Sequence, residues 1–229
     1  MVVALSIEKA TDEPLVVAGR LAGLTSEQRV IAALMTCVAR WGLSKTTLED
    51  VAREAGISRA TLYRLFPGGK GLLFEAAARH EVARLLVDVS AQFPDADSVE
   101  EILVAAIGGA SSFLASHKAF GALLRNEPEV LMPFLAFDRQ GPILVASAAF
   151  ITPHLARFVE ISIAEEVAEW AARLVISYTV TVSPSIDLTE VAVVRTLVQR
   201  HLLPGIPAKA YLSSVHTPNE PLEPGAHHG

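Results

Sequence analysis

Five residues close together, Arg59, Ala60, Thr61, Tyr63 and Arg64, have the types and spacing to read and hold a nucleic acid. Arginine carries paired donors that match guanine, and a methyl group meets the methyl of thymine. Tyrosine and arginine on the flank suit phosphate oxygens. This chemistry needs one rigid element to hold the five out together. A helix does so: Leu62 and Phe66, four apart, then face inward and leave the five outside. Ser58 is a good N-cap for that helix, Pro67 ends it and Gly68-Gly69 turn the chain.

A second short helix must come just before. Thr46 with Glu49 and Thr47 with Asp50 both fit a capping box, and the spacing leaves open which hydroxyl is the cap. Leu48, Val51, Ala52 and Ala55 follow as one apolar stripe. Gly56 ends the helix, and Ile57 is the apolar plug of the turn. Two short helices, a glycine turn and a polar outer face are the layout of a helix-turn-helix over 47–66, with the second helix docked in a DNA major groove. Thr46, Thr47 and Ser58 complete the expected DNA-facing set. Lys70 opens the next helix, where its ammonium and free N–H groups are expected to hold a phosphate.

These residues resemble the TetR family of transcriptional regulators. The resemblance runs from about Ser26 to Leu86 and is carried by TTLEDVAREAGISRATLYRLFPGGKGLLFEA, Thr46 to Ala76. It implies a helix behind the pair, Ser26 to Gly42, with Val30, Ile31, Leu34, Val38 and Trp41 as its inner stripe. It implies that Thr47 touches phosphate, that Arg59, Ala60 and Thr61 face base edges, and that Tyr63 and Lys70 grip the backbone. Two departures stand out. Leu65 replaces the His or Tyr usual in the family, which removes a phosphate contact, and Pro-Gly-Gly replaces a small polar linker before Lys70.

The charge pattern agrees. The net charge is −6, yet residues 24–80 hold eight Lys/Arg and five Asp/Glu, so 8 − 5 = +3, which leaves −6 − 3 = −9 elsewhere. A basic head on an acidic body fits DNA contact through one end. Hydrophobic residues make up 51% and the mean hydropathy is +0.40. The apolar run Ile143 to Ile151 is too short to span a bilayer, and no basic segment leads an apolar one at the N-terminus. A cytoplasmic protein with a dimer interface or a ligand cavity is the expectation. The single Cys37 has no internal disulfide partner and is expected to be a core residue.

The rest of the chain reads as an all-α body. The domain pattern is an arm at 1–23, a head at 24–86, a ligand-binding and dimerisation body at 87–203 and a proline-rich tail at 204–229. A long helix from about Lys70 to Gln92 joins head to body. Ser98 caps a helix to about His117, with Glu101 completing the box, and Lys118 to Asn126 forms another. Glu129 to Phe158 reads as a segment broken at Pro133, Gly141, Pro142 and Pro153. The last two helices begin near Ile163 and after Asp187 or Thr189, either of which is a candidate cap; Val191, Val194, Val198 and His201 make one stripe and Pro204 stops it.

One short recognition helix reads few base pairs, so a homodimer on a palindromic double-stranded site is expected. Val167, Trp170, Leu174, Val191, Val194 and Val198 are the expected interface. A small apolar or amphipathic effector is expected in the body, against Phe113, His117, Phe120, Leu124, Asn126, Phe134, Phe137 and Tyr178. The reading is a sequence-specific regulator, a repressor released by that effector. It needs no cofactor, metal, membrane or catalytic residue. The rivals are a lipid-binding or membrane-peripheral helical protein and an enzyme. Neither finds a motif: GGKG at 68–71 lacks the spacing of a phosphate loop, and the second histidine of a metalloprotease string beginning at His80-Glu81 falls on Arg84.

Overall fold

The computed structural model describes residues 25–135 and 141–212, the backbone alone at 132–135 and 141–143. The arm expected at 1–23 and the tail beyond 212 lie outside the described residues. Within them the architecture is helical throughout, apart from one bridge between Val159 and Tyr211.

Three helices build the head: α1 (Ser26–Trp41), α2 (Leu48–Glu54) and α3 (Arg59–Leu65). Thr25 caps α1 in a reciprocal box with Gln28. Val30, Leu34, Cys37 and Val38 of α1, Val51 of α2 and Leu62 of α3 are fully buried against one another. Trp41 departs from the expected inner stripe. It lies in the last turn of α1, beside the corner at Gly42, and is 44% exposed.

The connector α4 (Gly69–Ser90) starts in the head, where Leu73 and Ala77 are buried, and ends in the body, where Val89 is. The body continues with α5 (Val99–Ser116), α6 (Lys118–Asn126), α7 (Pro128–Leu135), α8 (Gly141–Leu155), α9 (Ile161–Val180) and α10 (Val191–Leu197). Helix α5 is long and apolar enough to cross a membrane by composition, but its buried face, including Ile102, Leu103 and Ile107, is the middle of the body core. Pro153 does not break α8 as expected. It falls in the last turn, where the missing N–H costs a single intrahelical bond.

Two further expectations shift at the C-terminal end. Asp187 accepts from the Thr189 N–H and hydroxyl and so closes a turn before α10, whose N-cap residue is Glu190. After α10 the helix widens to a π turn, Val198–Leu202. The extra residue per turn rotates the face, so Leu202 packs on the core and His201 is exposed. Residues 204–212 are not the loose tail the prolines imply. Ile206 and Ala210 are buried, Glu160 N–H donates to Ala210 C=O, and Leu212 N–H donates to Phe158 C=O.

Head and body share a core. Ala119 and Leu123 of α6 and Leu131 of α7 are buried in the head's apolar cluster. Beside them lies the loop 42–46 between α1 and α2. Glu127, just past α6 and 9% exposed, accepts from Leu43 N–H at 2.6 Å and from Ser44 N–H at 3.2 Å. Gly42 begins that loop at φ +82°, and a Cβ there would stand 2.6 Å from the Glu127 Oε1. Both facts demand glycine. Gly42→Ala is expected to lower the unfolding free energy by about 1–3 kcal/mol, the usual cost of a side chain in a sparsely populated backbone region. Urea denaturation of the two proteins side by side checks this; coincident midpoints would show that the corner tolerates a side chain.

Candidate nucleic-acid interface and body cavity

The outer face of α3 is built by caps and one anchor pair. The Ser58 hydroxyl accepts from Thr61 N–H at 3.1 Å and shares a second hydrogen bond with the Thr61 hydroxyl at 2.9 Å. Leu62 and Phe66 are buried beneath. Arg59, Ala60, Tyr63 and Arg64 are therefore exposed together, with Thr61 half-buried. The Arg59 guanidinium lies 5.4 Å from the centre of the Tyr63 ring, which stiffens both side chains. Helix α2 resolves the open question of its cap. Thr47 accepts from Asp50 N–H while the Asp50 carboxylate accepts from Thr47 N–H, a full capping box. Those bonds hold the Asp50 carboxyl below its usual range, the Thr47 hydroxyl contributing most.

Two expected DNA contacts are placed elsewhere. Thr46 is 1% exposed, and its hydroxyl donates to Gly42 C=O at 2.6 Å, so it braces the loop rather than facing outward. The Lys70 ammonium donates to the carbonyls of Leu43, Ser44 and Thr46 at 3.0, 3.4 and 3.1 Å. Its charge is directed at the loop's own oxygens, not offered to a phosphate. Sequence periodicity contains no sign of this, because a carbonyl cluster made by a loop leaves no pattern in residue types. Cys37 is a core residue; burial first, then the charges of Glu54 and Asp50, push its thiol up and keep it protonated.

The body holds an apolar cavity of about 250 Å³ between α4, α5, α6, α8 and α9. Phe113, His117 and Phe120 line it, as expected. Leu124 instead packs on the head cluster, Asn126 is exposed, and Tyr178 turns to the opposite side of α9. The side chain of Phe134 and all of Phe137 lie outside the described residues. Much of the wall comes from residues that sequence reasoning did not single out: Ala78, Val82, Leu85 and Val89 of α4 and Ala171, Val175 and Thr179 of α9. The three- and four-residue spacing of Val82, Leu85 and Val89 was the available signal.

One polar cluster meets this cavity. His117 caps α6, its Nδ1 accepting from Phe120 N–H at 3.1 Å, which leaves the proton on Nε2. That nitrogen bonds the Glu81 Oε2 at 3.2 Å, and Arg84 Nη1 reaches the same oxygen at 2.7 Å. Burial pushes the Glu81 carboxyl up, but the His117 hydrogen bond and the Arg84 charge together hold it below its usual value.

The second concavity is a groove between α9 and α10 containing Ile163, Trp170, Leu174, Tyr178 and Ala192. Trp170 is 55% and Val191 57% exposed, so these two remain available to a second chain. Val194 and Val198 are buried in the chain's own core and are not free to form the expected interface, whereas Val167, though mostly buried, lines this groove. Of the α10 stripe, Val194 and Val198 pack inward while Val191 stays exposed.

Residues 30–77 match the family model described as bacterial regulatory proteins, tetR family. Over these residues the three-helix head is similar to that of the TetR family. An uncharacterized HTH-type transcriptional regulator of Mycobacterium bovis is 31% identical over 77 residues, 34% of this chain and 40% of that protein, and one of Mycobacterium tuberculosis matches to the same extent. The match thus spans about two-fifths of the length of these curated relatives. In overall fold the chain is similar to the TetR family repressor AlkX from a Dietzia strain, implicated in biodegradation of n-alkanes, with TM-score 0.59, 23% identity, and coverage of 76% of this chain and 93% of that one. It is also similar to the fatty acid degradation regulator FadR of Bacillus halodurans, with TM-score 0.53, 18% identity, and coverage of 79% and 97%. In the TetR-type head, Lys70→Met is expected to lower stability by about 1–3 kcal/mol, because three carbonyls lose a charged donor. Arg64→Ala, on an exposed side chain, leaves the melting temperature within a degree or so. Differential scanning calorimetry of the DNA-free protein distinguishes the two; equal shifts would refute this placement of Lys70.

Proposed function

We propose that the protein is a cytoplasmic, dimeric, sequence-specific DNA-binding transcriptional regulator, a repressor whose hold on a palindromic operator is relaxed by a small apolar molecule in the body cavity. The observation that carries the DNA reading is the α3 face: Arg59, Ala60, Tyr63 and Arg64 stand exposed side by side on a capped, anchored helix. Arg59 and Ala60, near the helix start, are suited to base edges, and Tyr63 and Arg64 to the flanking phosphates. The TetR-type head and the positive charge of residues 24–80 support the same assignment.

Two-fold assembly is supported by the groove between α9 and α10. An exposed Trp170 beside an apolar furrow is the kind of aromatic anchor that dominates interfaces. The same face on a second chain makes a closed isologous pair.

Footprinting of genomic fragments with the purified protein tests the whole reading. A protected inverted repeat is expected, and absence of protection even at low salt would end it. Arg59→Ala is expected to cost about 1–3 kcal/mol at one base position per half-site and to relax discrimination there. Arg64→Ala removes a phosphate-binding cation, so it weakens binding to all sequences and lowers the salt slope by about one for each phosphate left unpaired. Trp170→Glu should give a monomer by light scattering that has lost the operator; a dimer with normal affinity would place the interface elsewhere.

A further inference from the structure

We propose that the body cavity selects an uncharged ligand, a hydrocarbon chain or ring of roughly ten heavy atoms bearing at most a hydroxyl-like end, and that Glu81 excludes carboxylates from it. This inference rests on the reading of the cavity as a ligand site and adds the ligand's chemical class.

Size comes first. An apolar cavity of about 150 Å³ holds benzene, so about 250 Å³ corresponds to roughly ten heavy atoms. Polarity comes second. Among the described residues that line the cavity, only Glu81, His117, Ser147 and Thr179 are polar. The hydroxyls of Ser147 and Thr179 are neutral and suit an alcohol, but they cannot balance a charge.

The charged cluster settles the sign. A fatty acid needs a cation or several free donors, because an unpaired carboxylate in an apolar site is very costly. Two of the cluster's donors are committed to the Glu81 carboxylate. His117 Nε2 and Arg84 Nη1 both bond Glu81 Oε2. His117 Nδ1 accepts the Phe120 N–H, and turning it into a donor would remove the cap of α6. The Arg84 side chain is 54% exposed, and Arg84 is not part of the lining. What the cluster brings to the wall is therefore a carboxylate and an imidazole whose Nε2 is already spent on it, and a second carboxylate beside them is disfavoured by the like charge of Glu81. An alkane, alkene or medium-chain alcohol meets no such penalty and gains from apolar burial.

The test compares 1-octanol, n-octane and octanoate on the full-length protein, by thermal shift and by isothermal titration below the concentration at which octanoate forms micelles. Octanol and octane should raise the melting temperature, and octanol should bind at least about tenfold more tightly than octanoate, equivalent to about 1.4 kcal/mol. Glu81→Gln keeps the shape and removes the charge, so octanoate should gain about tenfold while octanol changes less than about threefold. Octanoate binding the unaltered protein as well as octanol does would overturn the charge selection while leaving the cavity a ligand site. Binding of none of the three would overturn the ligand-site reading itself. Should Glu81→Gln fail to fold, Glu81→Leu serves as the second variant, and the comparison on the unaltered protein still decides.

Discussion

The loop 42–46 is held from both sides of its own peptide groups, and head and body are joined by that hold. A carboxylate from the body, Glu127, takes the N–H groups of Leu43 and Ser44; an ammonium from the connector, Lys70, takes the carbonyls of Leu43, Ser44 and Thr46. Charged groups make stronger hydrogen bonds than neutral ones, and a part-buried loop with unanswered polar groups would be unstable. Loop 42–46 leads into the helix-turn-helix, so its position fixes where α2 starts. Thr46 adds a third brace through Gly42 C=O. The head is thereby seated on α6 rather than tethered only by the run of α4 into the body.

Rigidity at the loop matters because α2 and α3 are short. Helices of seven residues are marginal by themselves, and their order comes from caps and packing. Thr47 with Asp50 and Ser58 with Thr61 fix the two starts, and Val51, Leu62 and Phe66 fix the orientation against α1. Freedom in loop 42–46 would pass directly into the tilt of α3, and base-edge contacts tolerate little misplacement.

Local rules written in residue type were legible in the sequence. The helix-turn-helix, its glycine turn, the Ser58 and Ser98 caps and the span Lys118–Asn126 all followed from spacing and capping chemistry, and the structure places them there. What escaped was long-range. Glu127 and Lys70 look like surface charges until the loop they grip is known. Val194 and Val198 form a clean stripe, but a stripe does not say whether it meets its own core or a partner's. The family resemblance implies a core position for Trp41, yet the corner at Gly42 leaves it 44% exposed. The cavity wall was half-seen for the same reason: dense phenylalanines drew attention to α5 and α6, whereas α4 and α9 contribute smaller side chains with no local mark.

How the proposed cavity ligand would act on the α3 face is constrained by α6. Helix α6 begins at the His117 cap in the cavity wall and runs roughly 13 Å to the Glu127 grip on the head. A stiff helix of that length cannot move at one end alone. Yet a ligand that fits both positions of α6 equally well shifts nothing, however tightly it binds. Moving a two-state balance from 1:99 to 99:1 takes about 5.5 kcal/mol of preference. A molecule of roughly ten heavy atoms binds with a total of about 3 to 15 kcal/mol, from about 0.3 to 1.5 per atom. A large part of that total must then be realised in one position of α6 and lost in the other. For the proposed effector to act, the cavity has to reshape around it, and a change that reaches the head passes along α6, whose Phe120 and Leu123 both line the cavity and pack on the head cluster.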